Sequence, residues 1–207
     1  MSDAADPAVT AERPDSPVAV AGTDHVTVTG SNIEDTVEFY RDLLGMPLVL
    51  RQPNLDQPEL THLFFDTGDG RILTFFVDES RPSRSSPPRP DVGHVHHLAF
   101  RVAAERLADV KGALEERGYG FSEFDRGAFH SVYTRDTNGL TIELVADKWP
   151  VPDERRGEVL ALAHGHRVED GADFVDDPHK QAAVDELGLD VDRKPVPDAP
   201  AGTGVDR

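Results

Sequence analysis

The sequence contains no cysteine, only four lysines, and no apolar run long enough to span a membrane. Without cysteine the chain can form no disulfide, no zinc ribbon and no thiol nucleophile. Any bound metal ion must therefore be held by histidine and carboxylate side chains. A membrane-spanning helix needs roughly 20 consecutive apolar residues, which no segment approaches. We therefore expect no membrane partner.

Basic residues are also scarce. The chain has 21 Lys and Arg but 39 Asp and Glu, which gives a formal charge of −18. Such an acidic chain is not expected to bind nucleic acid, whose phosphates require positive charge. A surface rich in acids and poor in lysine is similar to that of halophilic proteins, in which high salt screens self-repulsion. The alternative is an ordinary, well-solvated acidic surface.

The two ends of the chain differ in composition from its middle. Residues 1–21 carry acids and prolines where a signal peptide needs a basic start and an apolar stretch, so we predict a disordered acidic arm and a cytoplasmic protein. Residues 191–207 are predicted to be a disordered tail. We expect one domain over residues 22–148. A helical arm should follow over residues 149–190, with helices near residues 155–166 and 179–187.

The pattern β-α-β-β-β occurs twice, over about residues 22–79 and 92–148, with a Pro-, Ser- and Arg-rich linker at residues 80–91. The first copy contains the strand DHVTVT, a helix in NIEDTVEFYRDLLG, and the strands PLVLRQ, LTHLFFDT and RILTFFV. The second contains HHLAFRV, the helix ERLADVKGALEERG, residues 121–124, FHSVYTRD and LTIELV. The duplication predicts an α+β fold in which two βαβββ modules form a curved, mostly antiparallel sheet around a metal cleft.

Superposing the two copies places His25 over His97 and Thr74 over Glu143. Alternate side chains on a strand share a face, and this parity turns His25, His97 and Glu143 away from the apolar residues. The three match in both position and facing, so we predict that they bind one divalent metal ion. The structural alternative is that they are ordinary strand histidines and a solvated acid.

Two neutral imidazoles and one carboxylate suit Fe(II) and leave coordination positions for substrate and dioxygen. Mn(II) or another divalent metal fits the same set of ligands. Zinc is less favoured by this combination.

Residues 23–147 resemble the vicinal-oxygen-chelate superfamily, which includes glyoxalases, fosfomycin-resistance proteins and extradiol ring-cleaving dioxygenases. The stretches FYRDLLGMPLV, PNLDQPELTHLFF, HHLAFRV and DRGAFHSVYTRDTNGLTIELVAD are most similar to dioxygenases of the hydroquinone type. Members take metal ligands from the first strand of each module and the last strand of the second. These positions are His25, His97 and Glu143 here.

The same resemblance implies roles for two further residues. Arg126 would hold a phenolate or carboxylate of the substrate, and Tyr133 would exchange a proton near bound oxygen. His96 and His130 are candidate substrate-binding residues. On regular strands, however, His96 faces away from His97, and His130 away from Tyr133, so at most one of each pair enters the cleft.

The implied function is an Fe(II)-dependent, extradiol-type dioxygenase that cleaves a hydroquinone- or catechol-like diol with dioxygen. Two features depart from the hydroquinone type. Its members typically have four modules, whereas this chain has two. They also usually have histidine before the first ligand, where this chain has Asp24.

Two other functions remain open. A glyoxalase- or epimerase-type enzyme would take a fourth ligand from the last strand of the first module, where this chain has Thr74. A non-catalytic binding protein for an aromatic compound or antibiotic would not need the metal. Module pairs in this superfamily form within a chain or across a dimer, so a homodimer is one of two arrangements that the sequence allows.

Overall fold

The first module begins with a strand and a capped helix. The structure, a computed structural model, describes residues 9–84, 86–87, 89 and 91–196. The elements of the module are β1 (His25–Gly30), α1 (Ile33–Val37), β2 (Leu48–Pro53), β3 (Thr61–Asp66) and β4 (Ile72–Val77). The side chain of Asn32 accepts a hydrogen bond from the backbone N–H of Asp35 at 2.8 Å and caps the N-terminus of α1.

The first helix continues as a π-helical turn over Glu38–Leu43, which the sequence pattern did not predict. In this turn Phe39 and Tyr40, adjacent in sequence, are both fully buried. A π turn contains more residues than an α turn, so two consecutive aromatic side chains can face the same core.

The second module repeats this order of elements. It consists of β5 (Leu98–Arg101), a 3₁₀ turn (Ala104–Arg106), α2 (Leu107–Glu116), β6 (Ser122–Asp125), β7 (Phe129–Arg135) and β8 (Thr141–Asp147). Strand β5 is shorter than the predicted strand HHLAFRV, and His96 and His97 precede it. The predicted double β-α-β-β-β order is confirmed.

Each module forms a separate four-stranded mixed sheet, with strand orders β1-β4-β3-β2 and β5-β8-β7-β6. The pairs β1–β4 and β5–β8 are parallel, and the other neighbours are antiparallel. Thr27 lies opposite Thr74 in the first sheet, and Ala99 lies opposite Glu143 in the second. The α+β fold is therefore confirmed, and Thr74 and Glu143 occupy equivalent positions.

A single hydrophobic core joins the two modules. The ring of Phe39 lies 5.0 Å from the ring of Tyr40 and 5.1 Å from that of Tyr119 in the second module. Both sheets contribute fully or nearly fully buried residues: Leu63, Phe65, Phe75, Val77, Val132, Ile142, Leu144 and Ala146. We call the opposite side of each sheet its outer face. On β1 the outer-face residues His25, Thr27 and Thr29 are exposed, so nothing in the described residues covers the outer face of this strand.

A buried hydrogen bond fixes the contact between the modules. The hydroxyl of Tyr40 donates to Asp136 Oδ2 at 2.9 Å, and Asp136 is only 4% exposed. The backbone N–H groups of Asn138 and Leu140 also donate to this carboxylate, and the backbone N–H of Ser31 donates to Asn138 Oδ1. Burial raises the pKa of Asp136, and burial followed by the Asp136 charge raises the pKa of Tyr40.

The C-terminal arm contains α3 (Arg156–Glu169) and α4 (Asp177–Glu186), close to the two helices predicted there. It has a small core of its own: Trp149, Val151, Val159, Ala163, Ala183 and Val184. Arg156 and Lys180 form ion pairs with Asp147 at the end of β8. No helix in the described part of the chain is both long and apolar enough to cross a lipid bilayer.

The predicted terminal segments are described only in part. Residues 9–24 are exposed and lie outside any helix or strand. Residues 1–8 of the predicted arm, residues 85, 88 and 90 of the linker, and residues 197–207 of the predicted tail lie outside the described residues.

Replacing Tyr40 with Phe should lower the free energy of unfolding by about 1–3 kcal/mol, because the buried Asp136 carboxylate loses one of its donors. Chemical denaturation at pH 7 measures this change. Tyr119→Phe is the matched control: both rings pack against Phe39, and within the described residues the Tyr119 hydroxyl has no hydrogen-bond partner. Equal losses in the two variants would show that the Tyr40–Asp136 bond does not stabilise the fold.

Candidate metal centre

His97 and Glu143 are brought together on the outer face of the second sheet. Nε2 of His97 lies 2.9 Å from Oε2 of Glu143. The side chain of Glu143 is 6% exposed and that of His97 is 35% exposed, so the pair is sheltered by protein and still open on one side. The pair exists because His97 precedes β5 by one residue, and β5 pairs in parallel with β8.

Two hydroxyl groups fix the orientation of Glu143. Ser131 Oγ donates to Oε1 at 2.6 Å, and the Tyr133 hydroxyl donates to the same oxygen at 2.7 Å. The other oxygen, Oε2, is thereby directed toward His97. The sequence reasoning missed Ser131, although strand alternation places it on the same face as Tyr133 and could have identified it.

His96 lies beside His97 rather than on the opposite face. The two Nδ1 atoms are 2.8 Å apart, within hydrogen-bond distance. Strand alternation predicted that His96 faces away, but β5 begins only at Leu98, so neither histidine is held by strand geometry. The contact engages Nδ1 of His97 and leaves its Nε2 for Glu143 or a metal ion.

Tyr133 and Arg126 form an aromatic and cationic border to this site. The guanidinium carbon of Arg126 lies 4.6 Å from the centre of the Phe124 ring and 5.5 Å from that of Tyr133. These are cation–π distances, and they place a positive charge next to the Tyr133 phenol. Burial, then the hydrogen bond and charge of Glu143, raise the pKa of Tyr133, whereas Arg126 opposes the shift.

His130 does not reach this site, contrary to its selection as a substrate-binding residue. It is fully buried on the core side of β7, where its Nε2 lies 2.7 Å from Glu123 Oε1. Lys111 also pairs with Glu123, at 3.0 Å. Alternation along β7 explains the result, because Tyr133 occupies the outer face and His130, three residues earlier, must occupy the other.

His25 lies on the outer face of the first sheet, apart from the His97–Glu143 pair. Its Nδ1 is 2.6 Å from Oδ1 of Asp24, the residue that departs from the hydroquinone-type pattern. The side chain of His25 is 53% exposed. Across residues 9–84, 86–87, 89 and 91–196, no three His, Cys, Asp or Glu side chains are grouped so that they could hold a metal ion. One chain thus assembles two of the three predicted ligands.

The His97–Glu143 pair fits a metal ion. Nitrogen and oxygen ligands bound at right angles at about 2.1 Å are separated by about 3 Å, close to the observed 2.9 Å. Both predicted histidine ligands have Nδ1 engaged, one by Asp24 and the other by His96. Such contacts orient an imidazole so that its Nε2 is available to a metal.

A cavity of about 810 Å³ lies between the modules, lined in part by Val26, Leu98 and Phe100. As far as the structure describes the chain, its lining includes neither of the candidate histidine ligands nor Glu143. The cavity is therefore separate from the His97–Glu143 pair.

The paired βαβββ modules define the class of the protein. The family described as the Glyoxalase/Bleomycin resistance protein/Dioxygenase superfamily matches residues 22–144, and the chain belongs to this superfamily. The sequence-based resemblance to vicinal-oxygen-chelate proteins is thus confirmed.

Two kinds of named relative are similar to this chain. MhqE of Bacillus subtilis (strain 168), provisionally named a ring-cleaving dioxygenase, is 28% identical over 129 residues, which cover 61% of this chain and 41% of MhqE. The metallothiol transferase FosB of Staphylococcus haemolyticus is 26% identical over 129 residues, or 60% of this chain and 83% of FosB. The chain therefore spans about two fifths of the length of the ring-cleaving relative.

Solved structures support the same fold. A provisionally assigned dioxygenase from Bacillus subtilis shares 26% identity, with a TM-score of 0.52 over 60% of this chain and 40% of that one. A glyoxalase/dioxygenase from Nostoc punctiforme covers 67% of this chain and 99% of its own, with 17% identity and a TM-score of 0.52.

Replacing Glu123 with Gln should lower the free energy of unfolding at pH 7 by about 2–3 kcal/mol. The reason is that Lys111 and His130 both contact the Glu123 carboxylate, and the amide of Gln carries no negative charge to pair with them. Burial raises the pKa of Glu123, but hydrogen bonds from Lys111 and His130 outweigh it, and the net shift is downward from 4.5. A lowered pKa means that the stabilisation is present above pH 4.5 and is lost as the pH falls below it.

Chemical denaturation at pH 7, 5.5 and 4 tests the predicted pH dependence of the stabilisation by Glu123. Glu116→Gln, at an exposed helix position, is the control. A difference between wild type and Glu123→Gln that stays constant down to pH 4 would contradict the role of the charge.

Proposed function

We propose that this protein is a metal-dependent dioxygenase that cleaves the ring of a hydroquinone- or catechol-like diol, with Fe(II) as the metal. The observation that carries this proposal is the His97–Glu143 pair, whose carboxylate is oriented by Ser131 and Tyr133. The similarity to relatives named as ring-cleaving dioxygenases supports it.

Thr74 favours a three-ligand site over a four-ligand one. It occupies the position equivalent to Glu143 and is fully buried. Its hydroxyl donates a hydrogen bond to Thr27 Oγ1 at 2.8 Å and is therefore already paired. A glyoxalase-type enzyme would need a ligand at this position. A site with three protein ligands leaves room for both substrate and dioxygen.

We propose further that a second copy of the chain completes the site, so that His25 of one copy joins His97 and Glu143 of the other. The outer face of each sheet is open on β1 and β5, and the core shared by the two modules lies on the opposite side of each sheet. A symmetric dimer would pair each first module with the second module of its partner and create two equivalent sites.

The residues of the site have distinct roles in this proposal. His25, His97 and Glu143 would hold the metal, and Fe(II) bound there would supply electron transfer between an aromatic diol and dioxygen. Tyr133 holds a proton 2.7 Å from Glu143 and would donate it to a substrate oxygen.

The border of the site would select and orient the substrate. Arg126, held over Phe124, would pair with a phenolate or carboxylate of the ring. His96 would contact the substrate from beside His97. In the overall reaction both atoms of dioxygen enter the opened ring.

A second candidate is a metal-dependent transferase that acts on a thiol. The observation that favours it is the 26% identity to FosB over 129 residues, which cover 83% of that transferase. The two candidates share the same metal ligands and differ in the co-substrate, dioxygen or thiol.

Protein reconstituted anaerobically with Fe(II) should consume dioxygen when given a hydroquinone or a catechol, and a chelator should abolish this consumption. Glu143→Ala should reduce the rate by more than about 100-fold, since a metal ligand is lost, whereas Thr74→Ala, at the equivalent position, should reduce it only a few-fold. An oxygen electrode measures the rate. Parallel reactions with the methylglyoxal–thiol adduct, and with a free thiol together with an electrophilic acceptor, test the alternatives. Absence of oxygen uptake with every diol would exclude the dioxygenase.

Mixing two defective variants tests the shared site. His25→Ala and Glu143→Ala should each bind little metal alone. After they are unfolded and refolded together in equal amounts, half of the dimers are mixed, and each mixed dimer has one intact site. About a quarter of the wild-type metal content should therefore return, measured by elemental analysis. If all three ligands come from one chain, mixing should restore none.

A further inference from the structure

His62 is a second histidine on the outer face of the first sheet, and no role has been assigned to it so far. It lies on β3, opposite Gln52 of β2 and Phe76 of β4. Its ring is packed between two aromatic rings, with centroids 3.9 Å from Phe64 and 4.5 Å from Phe76. These contacts hold the imidazole in one orientation.

The two nitrogens of His62 have different surroundings. Nε2 is buried and has no hydrogen-bond partner. In the described part of the chain, no protein group pairs with Nδ1 either, but Nδ1 is not buried and remains accessible from the outer face. Unpaired buried N–H groups are rarer than unpaired buried acceptors, so the single proton of the neutral ring belongs on Nδ1. His62 thereby presents an N–H donor to the outer face.

His62 and His25 share one space above the first sheet. Burial, and then the charge of His25, lower the pKa of His62, which favours the neutral form of the ring. Between the two histidines lie Thr74 and Phe64, which face each other in adjacent strands on the same side of the sheet. This part of the face therefore has a metal-binding residue at one end, a largely apolar middle and a hydrogen-bond donor at the other end.

We propose that Nδ1 of His62 donates a hydrogen bond to an oxygen substituent on the ring of the diol, at the end away from the metal. This inference rests on the proposed function and on the dimeric site. It narrows the substrate class to aromatic diols that carry a further carboxylate, carbonyl or hydroxyl group. The aromatic ring would lie against Phe64, and the diol oxygens would point toward His25 and the metal.

The tautomer of His62 can be tested without metal or substrate. Nitrogen-15 NMR of the metal-free protein should show a neutral His62 ring with its proton on Nδ1 at pH 7. Assignment uses the spectrum of His62→Asn, in which this signal is missing. A proton on Nε2 would overturn the inference, because Nδ1 would then be an acceptor.

Binding of two diols tests the contact itself. Mn(II)-loaded protein without oxygen should bind 3,4-dihydroxybenzoate about tenfold more tightly than catechol, since the carboxylate gains a charge-assisted hydrogen bond. Calorimetric titration measures both dissociation constants. In His62→Phe the two constants should come within about twofold of each other.

Conservative replacements separate a hydrogen-bonding role from a packing role. His62→Asn places an amide near the position of Nδ1 and should retain part of the preference, whereas His62→Gln places it near Nε2 and should not. His94→Phe, at an exposed histidine between β4 and β5, is the control and should leave both constants unchanged. Metal content and thermal unfolding should be the same in all variants.

The outcomes distinguish this inference from the proposed function. If wild-type protein binds catechol and 3,4-dihydroxybenzoate equally, or if His62→Phe keeps the preference, the role of His62 is overturned while the metal site stands. If the metal-loaded protein binds neither diol, the proposed function fails, and the role of His62 fails with it.

Discussion

The hydrogen bond between Tyr40 and Asp136 lies where the two modules meet, and it is buried among aromatic and aliphatic side chains. A buried carboxylate is costly unless several donors satisfy it, and here the phenol of one module and the backbone of the other supply them. The bond therefore favours one arrangement of the modules, in which their core sides pack together. The outer faces, which carry the candidate ligands, are left open to a partner or substrate.

This arrangement divides the site unequally between the modules. The second sheet supplies His97 and Glu143, together with the hydroxyls of Ser131 and Tyr133 that orient the carboxylate. At the position equivalent to Glu143 the first sheet has Thr74, which is bonded to Thr27 and unavailable to a metal. The two modules thus share one strand order and differ on their outer faces, where the second carries the candidate ligand pair and the first does not.

The C-terminal arm is attached at the opposite end of the second sheet from His97. Its ion pairs with Asp147, and that between Arg101 and Asp153, anchor it where β5 and β8 end. Asp147 is four residues beyond Glu143 on β8, so the arm contacts the end of this face without engaging the ligand pair. The buried network of Lys111, Glu123 and His130 lies on the other side of the sheet and stabilises the fold rather than the site.

Hydrophobic periodicity and the internal repeat were sufficient to predict most of the fold. Alternation in DHVTVT predicted β1, and RILTFFV was a strand candidate that forms β4. The repeat predicted that Thr74 and Glu143 are equivalent, and the strand register places them so. Two features could not be predicted from these patterns. The short β5, which leaves His96 outside the strand, depends on where strand pairing stops, and the π turn depends on aromatic packing in the shared core.

By itself the sequence determined the kind of side chain at each candidate position and, for residues on regular strands, the sheet face that it occupies, since both follow from local chemistry and the two-residue period of a strand. It identified Tyr133 and Arg126 beside the site by resemblance, and it selected His96 and His130 as substrate-binding candidates, of which only His96 lies there. Only the tertiary structure decided that His97 meets Glu143, that His130 is buried against Glu123, and that His25 stands apart from both ligands of the second module. The physical reason is that distances between residues far apart in sequence depend on how the modules pack, and here a core shared by both modules set that packing.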